Sequence, residues 1–103
     1  MYQIKYLFDV DAYLDNATES EQRKIVKNLK YLQEYGVRSE VIDLKKLQGY
    51  DFWEARITGK NNTRIFCAQK KNIVYILYIF RKKTRKTKIK DLAYGQKQYL
   101  LID

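Results

Sequence analysis

The chain has 103 residues, which suits one domain. It has a single cysteine, which excludes an intrachain disulfide, and no histidine, which excludes histidine-based nucleophile systems and nearly every zinc site. Its net charge of +9 is uneven, because residues 44–103 hold fifteen of the 21 Lys and Arg residues but four of the 12 Asp and Glu residues. Such a basic half favours a nucleic-acid surface, and no apolar run reaches the roughly 20 residues of a membrane span, so we expect a cytoplasmic protein without cofactor, metal or membrane contact.

The first third of the chain predicts a strand followed by a helical hairpin. Residues 2–8 alternate loosely and are rich in Tyr, Ile and Phe, which indicates an opening strand. Asp9 is placed to cap a short helix over residues 10–16. Residues 18–21, Thr-Glu-Ser-Glu, have capping-box spacing before a long helix that Gly36 ends. The apolar positions of that helix recur at helical spacing: Ile25, Val26, Leu29 and Leu32.

The middle of the chain predicts a three-stranded antiparallel meander. Residues 37–50 are a connecting segment with a single turn around 44–47. Strands follow at residues 52–58, 63–69 and 73–80, with turns at 59–62 and 70–72. On the first strand Glu54 and Arg56 share one face, while Trp53 faces the core. Cys67 is expected to be a small buried hydrophobe, and the third strand, apolar on both faces, is expected to be central.

The chain ends in a basic segment and a helix. Residues 81–90 carry seven cations in ten positions, and a helix begins near Lys88. Gly95 costs this helix about 1 kcal/mol, which predicts a mobile or partner-stabilised element. The apolar positions expected on it are Ile89, Leu92, Ala93, Gln96, Tyr99 and Leu100. These elements together predict a small single α/β (α+β) domain over residues 1–103.

Five strings in the second half match, in order and spacing, the signatures of one known protein family. They read LKKLQG at 44–49, FWEARI at 52–57, TRIF at 63–66, IVYILYIF at 73–80 and RKKTRKT at 81–87. In these strings the chain resembles the RelE/ParE superfamily of bacterial toxins, in particular its HigB-like, phage-related branch. Tyr78 stands where many relatives have a histidine, Cys67 replaces an aromatic residue and Lys88 a proline.

The resemblance implies a RelE-like domain that is the toxin of a type II toxin–antitoxin pair, with a helix-turn-helix antitoxin as partner. Many such toxins enter the ribosomal A site and cleave mRNA there, which makes a ribosome-dependent endoribonuclease the first functional hypothesis. ParE-like relatives act instead on DNA gyrase. The second hypothesis is a non-catalytic protein, either a degenerate toxin or a phage protein that holds RNA or DNA on the same basic face.

RNA cleavage through the 2′-hydroxyl requires a base, stabilisation of the charged phosphate and a proton for the leaving oxygen. We expect Arg64, and secondarily Arg56, to bind the phosphate, because a guanidinium group matches two phosphate oxygens. Lys82 and Lys83 are candidates for proton transfer, since neighbouring cations favour a neutral amine. Glu54 is a candidate base, but a structural ion pair with Arg56 or with a lysine of the basic segment is favoured, because a carboxylate in so positive a field is a weak base.

The remaining cations of the basic segment are expected to bind RNA phosphates without sequence specificity, with solubility as the alternative. Tyr94 is the best candidate for stacking on a base, whereas Phe80 and Tyr99 are expected in the core. The predicted docking cations are Arg81, Arg85, Lys86, Lys88 and Lys90.

Overall fold

The chain folds into one five-stranded sheet with two helices on one face and one helix on the other. The computed structural model describes residues 1–38 and 40–102. The strands lie side by side in the order β1-β5-β4-β3-β2; β1 runs parallel to β5, and the other pairs are antiparallel. The predicted α+β class is therefore confirmed. In chain order the elements are β1 (Gln3–Tyr6), α1 (Val10–Asp15), α2 (Glu19–Tyr35), β2 (Leu44–Lys46), β3 (Trp53–Ile57), β4 (Thr63–Lys70), β5 (Ile73–Arg81) and α3 (Ile89–Tyr99).

The first two helices begin at the capping residues that the sequence predicts. The Asp9 carboxylate accepts a hydrogen bond from the Ala12 amide at 3.0 Å, and the Thr18 hydroxyl accepts one from the Glu21 amide at 3.2 Å. These bonds satisfy amides that the first turn of a helix leaves without partners. Helix α2 ends at Gly36, whose φ of +71° lies in a region that favours glycine.

Two apolar layers fill the space on either side of the sheet. The layer toward α1 and α2 contains the buried stripe of α2 and half-buried Trp53, as predicted for the latter. Cys67 is buried in the same layer, and burial raises the pKa of its thiol to about 12, which suits a packing residue. Val26, predicted on the buried face of α2, is instead 40% exposed. The layer toward α3 includes Phe80 and half-buried Tyr99, in agreement with their predicted core positions.

The segment before β3 forms an edge strand, so the turn predicted at residues 44–47 is wrong. Leu44 and Lys45 of β2 lie opposite Ala55 and Glu54 of β3. The predicted three-stranded meander is thus four antiparallel strands, and β1 joins its far side. A strand of three residues carries too little alternation to be recognised, because it is stabilised by pairing with β3 and not by its own pattern. Strand β5 is internal, as predicted, although β4 is the middle strand of the five.

A β-bulge in β5 changes which side chains face α3. Phe66 of β4 lies opposite Tyr78, whereas the next residue, Cys67, lies opposite Ile76, which leaves Leu77 as an extra residue on β5. Because side chains alternate along a strand, this insertion turns positions 77 and 78 toward the same side. Phe80 then lies in the layer toward α3, and Lys82, just beyond the strand, is near enough to Glu54 and Arg64 to be affected by their charges. The bulge thereby brings the beginning of the basic segment to the face that carries the polar residues of β3 and β4.

Helix α3 packs closely on the sheet at Gly95. A Cβ atom at this position would lie 2.7 Å from Cδ2 of Phe66 and 3.0 Å from Cζ of Phe52, so the absence of a side chain permits the contact. This gives the glycine a packing role that the sequence does not reveal. Ile89 and Leu100, predicted on the apolar face of this helix, are 84% and 70% exposed. Ala93, predicted on the same face, is exposed as well, and that part of the prediction is wrong.

Candidate nucleic-acid interface

Glu54 lies at the centre of a polar cluster on the α3 side of the sheet. Its carboxylate group is buried, with 1% of the residue exposed. Oε1 lies 3.5 Å from Nε of Arg56 and 3.7 Å from Nε of Arg64, and Oε2 accepts a hydrogen bond from the Thr87 hydroxyl at 3.1 Å. Of the two structural partners that the sequence suggests for Glu54, Arg56 or a lysine of the basic segment, the ion pair with Arg56 is present. We call these four residues, together with Lys82, the sheet-face cluster.

The register of the sheet explains why a carboxylate lies between the two arginines. Arg56 of β3 is directly opposite Arg64 of β4, and like charges at facing positions repel each other. Glu54 contacts both guanidinium groups and so offsets this repulsion. Because its oxygens already contact two cations and a hydroxyl group, this carboxylate is poorly placed to take a proton from a substrate.

Several hydrogen-bond donors of Arg64 are not used within the described part of the protein. Its side chain is 13% exposed, and Nη1 donates to the Thr63 carbonyl at 3.2 Å. Nε has no hydrogen-bond partner within the described part of the chain, although it is buried. A guanidinium group carries five N–H donors, so most of those on Arg64 remain available to an anion. Nε lies 3.7 Å from Oε1 of Glu54 and is held by that charge, so the donors available to an anion are those on the two Nη atoms.

Lys82 lies just beyond the end of β5, within the electrostatic field of this cluster. Burial lowers the pKa of the Lys82 amine, and three neighbouring positive charges lower it further, those of Arg64, Arg56 and Lys45. The Glu54 carboxylate acts in the opposite direction. A lysine with a lowered pKa exchanges a proton more readily near neutral pH than an ordinary surface lysine does. Lys45 reaches this field because β2 places it opposite Glu54.

A groove of about 470 Å³ runs beside the basic segment. Its lining has a basic part from the segment itself and a neutral part from the chain around α1. The neutral part consists of Phe8, Tyr13 and Asn16. The amines of the basic part are those of Lys82, Lys83, Lys86, Lys88 and Lys90.

Tyr78 forms part of the groove between these two parts and is held by its neighbours. Its hydroxyl donates to the Asp91 carboxylate at 3.3 Å, and its ring stacks on Phe80 with centroids 4.8 Å apart. Tyr94 is 38% exposed, and the centroid of its ring lies 4.5 Å from that of Tyr78. Burial, followed by the charge of Asp91, raises the pKa of Tyr78 to about 12, so this phenol is protonated at neutral pH.

Glu21 ties the start of the basic segment to α2. The spacing from Thr18 predicts a capping box, but the Glu21 carboxylate turns toward the sheet, and the cap is made by Thr18 alone. Four side chains donate hydrogen bonds to the buried Glu21 carboxylate, those of Tyr13 at 2.9 Å, Asn61 at 3.1 Å, Arg81 at 2.9 Å, and Thr63. Arg81, predicted to dock phosphates, therefore has a partner within the protein.

The Glu21 contacts predict a dependence of stability on pH. Burial raises the pKa of Glu21, but the hydrogen bonds from its donors outweigh burial and lower the pKa overall. A carboxyl group with a depressed pKa in the folded state stabilises the protein above its ordinary value of 4.5, and this contribution disappears as the pH falls through the folded value. We expect Glu21→Gln to be less stable than wild type at neutral pH and to lose less stability on acidification.

Thermal unfolding followed by circular dichroism, from neutral pH to below 4.5, measures this difference. Glu19→Gln is the matched control, because Glu19 lies on the same helix turn but is exposed. An identical pH dependence for wild type and Glu21→Gln would show that the carboxylate contacts do not stabilise the fold.

The structure brings together some predicted site residues and separates others. Glu54, Arg56, Arg64 and Lys82 converge in the sheet-face cluster, although they come from two strands, β3 and β4, and from the segment that follows β5. Lys83 is exposed and lines the groove. Four of the predicted docking cations are exposed and line the same groove, namely Arg81, Lys86, Lys88 and Lys90, whereas Arg85 is exposed outside it.

Three residues of this surface escape prediction from the sequence. Thr87 stands within the run of cations and shows no pattern that links it to Glu54. Lys45 lies near Glu54 only because strand β2, which the sequence does not predict, pairs with β3. The capping-box spacing of Glu21 predicts a different role for this residue. A buried carboxylate is recognisable only once its donors are brought together by the fold.

Among residues 1–38 and 40–102, no helix is long and apolar enough to cross a membrane. Within the same described residues, no group of three or more His, Cys, Asp or Glu side chains is arranged to hold a metal ion.

Comparison with known proteins gives a family and a fold. The family model described as phage derived protein Gp49-like (DUF891) matches residues 12–100. A chain of the archaeal RelE–RelB complex from Pyrococcus horikoshii OT3 superimposes with a TM-score of 0.65 at 22% identity, covering 82% of this chain and 98% of that chain. A chain of the intact E. coli RelBE toxin–antitoxin complex gives 0.63 at 15% identity, with coverages of 82% and 100%. Comparison with curated protein sequences gives no match. The predicted RelE-like fold is therefore confirmed.

Proposed function

The chain belongs to the family of Gp49-like phage-derived proteins, and we propose that it is the toxin of a type II toxin–antitoxin pair, of the HigB-like branch. It acts in the cytoplasm as a ribosome-dependent endoribonuclease that cleaves mRNA and so inhibits translation. The observation that carries this proposal is the sheet-face cluster, where two guanidinium groups and a lysine with a lowered pKa lie beside a cation-lined groove.

The proposed reaction is an exchange of phosphate ester bonds within the mRNA that the ribosome holds. The 2′-oxygen attacks the adjacent phosphorus, the bond from phosphorus to the 5′-oxygen breaks, and the products are a cyclic phosphate and a 5′-hydroxyl. Arg64 and Arg56 stabilise the charge that develops on the phosphate. Lys82, in its neutral form, accepts the proton of the 2′-hydroxyl, and Lys83 donates one to the leaving 5′-oxygen. Glu54 holds the two arginines in place.

The groove and the remaining cations dock the RNA. Single-stranded RNA carries one negative charge per nucleotide, and each phosphate held by a lysine or arginine makes binding more sensitive to salt. Tyr94, which is 38% exposed, stacks on a base next to this path. The cations proposed for docking are Arg81, through the part of its guanidinium group that Glu21 leaves free, Arg85, Lys86, Lys88 and Lys90.

A helix-turn-helix antitoxin is the proposed protein partner. Two similar solved structures are complexes of a RelE toxin with its RelB partner, which supports a toxin of this fold being held by a dedicated partner. The antitoxin would suppress growth inhibition when it is produced together with this chain.

A non-catalytic RNA-binding protein is the second candidate. The specific observation in its favour is Glu54, whose oxygens contact Arg56, Arg64 and Thr87, which leaves a lysine to act as the base. Such a protein would block translation by occupying the RNA without cutting it.

Induced expression in a bacterium tests the proposal. We expect wild type to slow growth and the double variant Arg64→Ala, Lys82→Ala to have lost this effect. The matched control replaces two exposed cations of α2, Arg23 and Lys27, by alanine and should slow growth as wild type does. Equal growth inhibition by wild type and the Arg64, Lys82 double variant would overturn the assignment.

A further inference from the structure

The groove beside the basic segment has a neutral part to which the proposed reaction gives no task. It is formed by Phe8 before α1, Tyr13 within α1 and Asn16 at the C-terminal cap of that helix. Building on the proposed function, we propose that this neutral part binds one unstacked nucleobase of the RNA and that Asn16 reads the edge of that base. The preferred ligand is single-stranded RNA with adenine at this place.

The two parts of the groove match the two parts of a nucleotide. The lysines on the basic part suit the phosphates on either side of the base, and they attract RNA of any sequence. A base, in contrast, is flat, uncharged and polar only at its edge, which suits a lining of two aromatic rings and an amide. A volume of about 470 Å³ lies within the range of sites that bind small ligands, and it accommodates a nucleotide.

The rings of the neutral part remain open to a base. Phe8 and Tyr13 are half-buried, with centroids 6.5 Å apart and planes inclined by 57°, so they do not cover each other. Tyr78 meets Phe8 edge-on at 5.4 Å and is itself covered by Phe80 and Tyr94. Tyr78 therefore forms the floor, while Phe8 and Tyr13 supply the surface on which a base stacks.

Asn16 is the polar side chain of the lining that suits base recognition best, because the Asp91 carboxylate accepts from Tyr78 and carries no hydrogen-bond donor. The hydroxyl groups of Tyr13, Tyr78 and Thr84 already donate to carboxylates or a carbonyl of the protein. Asn16 is exposed, and one of its two amide hydrogens is donated to the Ala12 carbonyl at 3.0 Å, which fixes the side chain. The second amide hydrogen and Oδ1 remain, so Asn16 can donate to and accept from one base edge at the same time.

Adenine is the base that fits this pair of groups best. A side-chain amide donates to N7 of adenine and accepts from its N6 amino group, a pairing that discriminates against the other bases. In single-stranded RNA these edges are accessible, since the bases can be turned out of their stack. The lysines thus hold the RNA, and Asn16 selects the nucleotide that enters the groove.

Binding of short oligonucleotides to the full chain tests this proposal without ribosomes. The probes are 2′-O-methyl oligonucleotides of adenosine, cytidine or uridine, which lack the attacking hydroxyl and are not cleaved. We expect wild type to bind the adenosine probe about tenfold more tightly than the other two, and Asn16→Ala to bind all three alike. Asn72→Ala, at an exposed turn outside the groove, is the matched control and should keep the wild-type preference.

Several results would overturn the proposal. These are wild type that binds no probe, wild type without a preference for adenosine, Asn16→Ala that keeps the preference, and Asn72→Ala that loses it. Asn16 is exposed, so its replacement leaves the core intact, and circular dichroism of both variants verifies this. This binding test and the cleavage tests can fail independently, because the probes cannot be cut. Absence of mRNA cleavage would overturn the proposed enzyme but not the binding of adenine, and loss of the preference for adenosine would overturn the adenine site but not the proposed cleavage.

Discussion

Arg64→Ala is expected to slow mRNA cleavage on purified ribosomes by about 100- to 1,000-fold, the loss typical of removing one preorganised donor to a charged transition state. Arg64 is the less exposed of the two arginines in the sheet-face cluster. Contacts with Glu54 and with the Thr63 carbonyl fix its orientation, and its remaining donors are free. It therefore meets the phosphate without first having to reorganise. The measurement is the single-turnover rate of cleavage of an mRNA bound to ribosomes.

Two further variants make the result specific to the guanidinium group. Arg64→Lys keeps the charge but not the two-pronged donor, and we expect an intermediate rate. Arg23→Ala removes an exposed arginine of α2 and should cleave at the wild-type rate. If Arg64→Ala also cleaved at the wild-type rate, the phosphate would have to be bound elsewhere.

Glu54→Ala is expected to lower the free energy of unfolding by about 3 kcal/mol, because it leaves two facing arginines without their shared counter-ion. Urea unfolding at neutral pH measures this loss. Screening by salt weakens repulsion between the arginines, so the variant should recover part of its stability at high ionic strength. Glu34→Ala, at an exposed position of α2, is the control and should leave stability nearly unchanged.

The same variant separates a structural carboxylate from a catalytic base. A base that only accepts a proton could be removed with loss of cleavage and without loss of stability. Our assignment predicts that stability and cleavage fall together, and that Glu54→Gln, which keeps the shape and loses the charge, also lowers stability. A Glu54→Ala protein as stable as wild type but inactive in cleavage would identify Glu54 as the base.

The parts of the fold that follow from local signals are predictable from the sequence. Asp9, Thr18 and Gly36 bound the first two helices because capping and left-handed backbone are local effects. Strands β3, β4 and β5 are recognisable because their apolar positions continue over several residues. Strand β2 and the bulge at Leu77 are not, because each depends on pairing with a neighbouring strand and leaves little trace in its own residues.

The candidate site, like the fold, has residues that the sequence predicts and residues that only the folded structure brings to it. Glu54, Arg56 and Arg64 are identified by family strings and by strand alternation, and the fold does bring them together. The contributions of Lys45 and Thr87 depend on which residues face each other across the sheet or return from a loop, and no spacing along the chain expresses that. For Glu21 the sequence predicts a helix cap. In the fold its carboxylate is instead buried, accepts hydrogen bonds from four side chains and holds Arg81.

Sequencing of RNA 5′ ends after induced expression decides whether the basic face cleaves mRNA or only binds it. We predict that wild type generates new 5′-hydroxyl ends within codons at the A site of translating ribosomes. Arg64→Ala, produced at the same level, should not generate them. Growth arrest by wild type with mRNA left intact would contradict the proposed endoribonuclease.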